Sequence, residues 1–201
     1  MADHGVLILI APYSYAFWAV FAWTYLMEGR QHHRSRQRTA DHDGVDKYSG
    51  LVISIGSTVM QLLAFAVAYF YEPLRVGEPA IYTLFWIGLG MIVAGILLRM
   101  HCWRVLGEFF TPTVTIAEGH RVVDKGAYRF VRHPAYSGAI MTLVGLGLTM
   151  GNLGSIAILV VGTAAIYAYR ISAEEVALER ALGDAYTKFK STRSRVIPFV
   201  Y

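Results

Sequence analysis

Four stretches of this chain carry no Lys, Arg, Asp or Glu: His4 to Met27, Tyr48 to Tyr71, Pro79 to Leu98 and Pro134 to Tyr169. A membrane-spanning helix needs about 20 predominantly apolar residues, because only a helix or a closed barrel satisfies its own backbone in hydrocarbon. Each of the first three stretches suffices for one span. The fourth is long enough for two short ones, and Gly151-Asn152 supplies a turn signal near its middle. With 55% apolar residues, 16% charged residues and a mean hydropathy of +0.43, the sequence predicts an all-α integral membrane protein. About five transmembrane helices are expected, the last two a hairpin, followed by an amphipathic C-terminal helix on the cytoplasmic side. The first stretch has no basic residues before Val6 and no small-residue cleavage signal before Glu28, so it is expected to be a retained anchor.

The placement of charge sets the expected orientation. Five Lys or Arg residues lie between Glu28 and Gly50, one (Arg75) between Glu72 and Pro79, six between Arg99 and Ala135, and six from Arg170 onward. By the positive-inside rule the N-terminus lies outside, and the first loop, the 99–135 segment and the C-terminus are cytoplasmic. This parity needs five spans. The basic run Arg30 to Arg38 is a topology signal and an anionic-lipid contact, not a nucleic-acid site. No metal is expected: Cys102 is the single cysteine, and His32, His33 and His42 lack ligands at helical spacing.

Along the chain, helix 1 is expected from Val6 to Met27, helix 2 from Ser49 to Tyr71 with an aromatic belt at Tyr69-Phe70-Tyr71, and helix 3 from Ala80 to Leu98. Gly88, Gly90 and Gly95, like Gly145, Gly147 and Gly151, suit close helix approach. Between Arg99 and Ala135 periodicity is lost and a cytoplasmic cap is expected. From Ser172 to Ser191 a stripe of Leu178, Leu182, Ala185 and Phe189 predicts an amphipathic helix, where Ser172 and Glu175 have capping-box spacing. The division expected is 1–98, three helices with a basic loop, and 99–201, a catalytic region.

Two charged clusters bracket the last apolar stretch: Tyr128, Arg132, His133, Pro134, Tyr136 and Gly138 before it, Arg170, Glu174 and Glu175 after it. A hairpin would bring them together, setting carboxylates against Arg and His at the membrane boundary, an arrangement suited to a zwitterionic or cationic ligand.

The pattern Tyr128-x-x-x-Arg132-His133-Pro134-x-Tyr136-x-Gly138, then Arg170-x-x-x-Glu174-Glu175-x-x-Leu178-x-x-x-x-Gly183-x-x-Tyr186, resembles the isoprenylcysteine carboxyl methyltransferase family, whose relatives include phospholipid N-methyltransferases. The resemblance covers about the last hundred residues. It implies S-adenosyl-L-methionine bound without a Rossmann domain, and an acceptor that is a lipophilic or prenylated substrate. His120, Arg121, Val122 and Val123 resemble the strip lining the cofactor, with Tyr128 beside it. His133, Pro134, Ala135 and Tyr136 resemble the cofactor-binding HPxY, and Glu174 the acidic contact. Arg170 resembles the residue nearest the reacting group. Thr113 stands where the family often has Gln.

The donor's sulfonium and ammonium call for anions and its carboxylate for cations, which Glu174 and Glu175, and Arg132, His133 or His120, can supply; Tyr128 and Tyr136 offer ring faces to the sulfonium. Arg170, Arg132 and Glu175 are the catalytic candidates. A carboxylate acceptor needs no base, whereas an amine or thiol would draw on Glu175 or His133. The expected reaction is carboxyl O-methylation of a prenylcysteine-like substrate. The alternatives are phospholipid N-methylation, small-thiol S-methylation, or a non-enzymatic membrane scaffold or transporter subunit. Nothing in the residues sets the oligomeric state.

Overall fold

The computed structural model describes residues 5–38, 47–110 and 122–198. Six α-helices occur among them: α1 (Tyr13–Arg38), α2 (Lys47–Phe70), α3 (Ala80–Leu106), α4 (Pro134–Met150), α5 (Leu153–Leu182) and α6 (Asp184–Ser191). Three are long and apolar enough to cross a membrane: α2 over Gly50–Phe70, α3 and α5; α4 is a shorter apolar helix. The architecture is that of an all-helical integral membrane protein, without a β-strand among the described residues.

Helix boundaries depart from expectation in four places. The first helix begins at Tyr13 instead of Val6, after a single 3-10 turn at Leu7–Leu9. Pro12 explains this, since it has no N–H to give an upstream carbonyl and its ring opposes a helix running through it. At its other end α1 runs past Met27 to Arg38, because Arg and Gln are good helix formers.

Helix α3 likewise continues beyond Leu98 to Leu106 through Arg99, His101 and Arg104. Arg99 is accommodated by Glu28 of α1, which accepts from its Nε and, at 2.8 Å, from its Nη2, and by the Trp103 ring 5.4 Å away. Finally, the segment 172–191 is two helices: α5 carries through to Leu182, and α6 restarts after Gly183, whose φ of 54° breaks the helix. Ser172 therefore caps nothing. It sits inside α5 and donates to the Ala168 carbonyl at 2.9 Å.

The hairpin is present as expected. Gly151 ends α4 in the left-handed region at φ 62°, and the Asn152 side chain starts α5 by accepting from the Gly154 and Ser155 amides at 2.9 and 3.2 Å. The same buried side chain donates to the Tyr71 carbonyl at 2.9 Å, tying the turn to the end of α2.

Helix α4 lies between α3 and α5, while α2 packs on α5. The α3–α4 contact is backbone-close: a Cβ on Gly88 would meet the Gly145 carbonyl, and one on Gly95 the Gly138 carbonyl, each at 2.5 Å. Gly90, expected to share this role, faces open space instead. Phe17, Phe85, Met60, Ala64, Leu146, Met150 and Leu159 form the core where the helices meet, and the rings of Tyr69, Phe70 and Tyr71 are exposed.

Candidate active site at the open end of the hairpin

Tyr136 and Tyr167 stand equally far from the Gly151-Asn152 turn, and an antiparallel return must place them side by side. Their rings are 5.3 Å apart. The residues just beyond each, Arg132 and His133 before α4 and Arg170, Glu174 and Glu175 on α5, consequently meet at the hairpin's open end. Helix α4, with 17 residues, is about 25 Å long at 1.5 Å per residue, and the apolar part of α5 is similar. The charged residues thus lie together just beyond a pair of apolar helical segments.

The junction has two layers. In one, the Tyr136 hydroxyl donates to Glu174 and accepts from Arg170 Nε at 3.0 Å. One phenol thereby bridges the two residues of α5 that lie four apart on one face. The Glu174 side chain keeps 26% exposure, while Arg170 is buried at 2%. The His133 ring stacks on Tyr136 at 5.6 Å, with Nδ1 4.0 Å from Glu174.

In the other layer, Glu175 is 2% exposed and surrounded by cations. Its Oε1 lies 3.3 Å from His133 Nε2 and 3.4 Å from Arg132 Nε. Its Oε2 lies 3.2 Å from Arg195 Nη2 and 3.7 Å from Lys190 Nζ. A buried carboxylate is tolerated only when paired in this way. The two adjacent glutamates are thus unlike: Glu174 keeps partial exposure, whereas Glu175 is enclosed among ionic partners.

Pro134 occupies the first turn of α4, where its missing N–H costs nothing, and is buried with Ala135. The Ala135 carbonyl accepts from Arg99 Nη1 at 3.0 Å, so the Glu28–Arg99 pair reaches the start of α4. Tyr128, on the 3-10 turn Gly126–Arg129, packs with Cys102 and Ala135. Burial pushes its phenol well above the ordinary value, so it remains a neutral ring and hydroxyl. Val122 and Val123 are half-buried on the approach to that turn. His120, Arg121 and Thr113 lie outside the described residues.

Arg132, His133, Tyr136, Arg170, Glu174 and Glu175 therefore converge, and Tyr128, Pro134 and Ala135 back them. Lys190, Arg195, Arg99 and Glu28 complete the junction without having been anticipated from sequence. The Lys and Arg excess of the tail was the available signal for the first two. The last two are 71 residues apart, and nothing local pairs them. Among the described residues no group of His, Cys, Asp and Glu could hold a metal ion.

Residues 86–180 match the family-wide sequence model described as the isoprenylcysteine carboxyl methyltransferase (ICMT) family. The Arabidopsis thaliana protein-S-isoprenylcysteine O-methyltransferase B is 32% identical over 127 residues, covering 61% of this chain and 64% of that protein. The Schizosaccharomyces pombe protein-S-isoprenylcysteine O-methyltransferase is 28% identical over 114 residues, 56% of this chain and 48% of that one. The chain thus spans less than two thirds of the length of these relatives. A solved structure of the eukaryotic intramembrane Ras methyltransferase ICMT superposes with a TM-score of 0.63 at 21% identity, covering 96% of this chain and 70% of that chain. At that identity the likeness is one of fold. The matched segment runs from the second turn of α3 nearly to the end of α5, so the hairpin, the Arg-His-Pro junction and the glutamate pair all fall within what this chain shares with the isoprenylcysteine carboxyl methyltransferase family.

Proposed function

We propose that the chain is an integral membrane methyltransferase that transfers a methyl group from S-adenosyl-L-methionine to the carboxylate of a lipophilic, prenylcysteine-like substrate. The observation that carries this reading is the Glu174–Tyr136–Arg170 bridge: a partly exposed carboxylate and a buried guanidinium held by one hydroxyl at the hairpin's open end. The residues fit the donor, which needs an anionic site for its positive groups beside aromatic faces; Glu174 between Tyr136 and His133 provides one. When bound, the donor supplies an electrophilic methyl.

The remaining work belongs to the chain. Glu174, Tyr136 and His133 hold the cationic side of the donor, with Tyr128, Pro134, Ala135, Val122 and Val123 lining the remainder. Arg170 orients the acceptor carboxylate, its guanidinium plane fixed by the bond to Tyr136. A carboxylate is ionised near neutral pH, so no base is required. Enclosed by Arg132, Lys190, Arg195 and the His133 ring, Glu175 serves as the anchor that fixes Arg132 and His133 and is not assigned the part of a base. The packed hairpin end keeps water from the line of transfer.

Adding α1 and α4 to the three long apolar helices gives five spans, with the N-terminus outside and the basic segments, the site and the C-terminus on the cytoplasmic side. Residues 99–201 form the catalytic region; since α3 is continuous through Leu106, the 98/99 boundary marks a change of role along one helix. The acceptor enters from the bilayer, and membrane lipids are its surroundings. Full-length protein in proteoliposomes, given labelled donor, is expected to methylate a farnesylcysteine analogue to a base-labile ester. Transfer only to phosphatidylethanolamine or to a small thiol would overturn the carboxyl assignment.

A further inference from the structure

The buried carboxylate that the proposed chemistry leaves unused, Glu175, draws two of its four partners, Lys190 and Arg195, from residues beyond α5, and the same tail meets the Arg-His-Pro junction through its backbone. The Arg132 and His133 amides donate to the Ser194 and Arg195 carbonyls, each at 2.9 Å, and Val131 forms a parallel bridge with Ser194. Ser137 Oγ donates to the Val196 carbonyl at 2.5 Å, and Arg132 Nη1 to the Lys190 carbonyl at 3.4 Å. Arg193 pairs with Asp124 at 2.7 Å just ahead of the Tyr128 turn, with its guanidinium over the Phe189 ring.

The residues preceding a helix cannot find partners inside it. Here the amides of Arg132 and His133 are satisfied by the tail alone among the described residues, so the entry into α4 is set by a segment some sixty residues later. We propose that residues 190–196 are a strap that positions the donor-binding junction, with Arg195 its principal positioning residue. Arg195 spans both connections: its carbonyl holds the His133 amide, and its guanidinium holds the carboxylate that in turn holds the His133 ring. The strap lies outside the 86–180 segment shared with the family. It makes the arrangement of His133 and Tyr136 depend on a part of the chain beyond that segment.

The functional consequence rests on the methyltransferase reading, but the strap itself can be tested apart from it. In full-length protein in detergent, hydrogen exchange at the Arg132 and His133 amides is expected to be slow, and at least about tenfold faster in Arg195→Gln, the loss expected when a charge-assisted anchor goes. Ready exchange of both amides in the unaltered protein, or no change in Arg195→Gln, overturns the strap whatever the enzyme does. On the functional side, Arg195→Gln is expected to weaken S-adenosylmethionine binding about tenfold with the KM for the lipid substrate little changed, and Arg195→Lys to recover most of the affinity. Because the Arg195 side chain is 49% exposed, the melting temperature is expected to stay close to that of the parent. Donor affinity that falls only in proportion to the melting temperature, or does not fall in Arg195→Gln, overturns the positioning role. If the unaltered protein binds no donor, the methyltransferase reading fails, and the exchange measurement alone decides the strap.

Discussion

Two neighbouring glutamates, alike in sequence, are separated in role by what surrounds them. Glu174 shares the Tyr136 hydroxyl with Arg170 and keeps a quarter of its surface; Glu175 is enclosed by His133, Arg132, Arg195 and Lys190. Glu174→Gln preserves the bond from Tyr136 but removes the charge that attracts a cation, so donor affinity is expected to fall about tenfold or more by calorimetry. Arg170→Ala is expected to lower turnover at least about a hundredfold while donor affinity changes by less than about threefold. Similar losses of affinity in both variants would remove the division of labour. The RHPxY and Glu-Glu residues were legible because their spacing around an apolar stretch is specific. The unlike burial of the pair was not legible, since it depends on cations 15 and 20 residues downstream that a chain-wise reading assigns to topology.

At the scale of helices, the hairpin was legible because Gly151-Asn152 interrupts an otherwise continuous apolar stretch, and both residues act as turn chemistry requires. The last two turns of α3, beyond Leu98, were not. Arg99, His101 and Arg104 look like a loop, but Arg99 is neutralised from another helix by Glu28 and covered by Trp103. The opposite error arose at α1, where apolar residues ahead of Pro12 gave a helix that proline denies. Glycine spacing proved legible only statistically: Gly88 and Gly95 face α4, whereas Gly90 faces outward. Gly138→Leu would drive a side chain into the α3 backbone. It is expected to lower the melting temperature sharply and abolish donor binding, as overpacking costs about 1–3 kcal/mol or more where backbone cannot move. Gly90→Leu is the control and is expected to change neither. Equal melting temperatures for the two would contradict the close α3–α4 packing.

Across the described residues, contacts from several elements fix both ends of the hairpin. The turn at Asn152 is fastened to α2 through the Tyr71 carbonyl, α3 abuts α4 through paired glycines, α1 reaches the Ala135 carbonyl through Glu28 and Arg99, and the tail closes over Arg132 and His133. The charged junction is consequently held in place at the edge of an apolar body, which is what the proposed alignment of a small donor with a lipid-borne acceptor would require. Titration of S-adenosylmethionine into the full-length protein in detergent, followed by calorimetry, tests that account most directly. Saturable binding at one site per chain, weakened in Glu174→Gln, is the predicted result; heat that never saturates, or binding indifferent to Glu174, would contradict it.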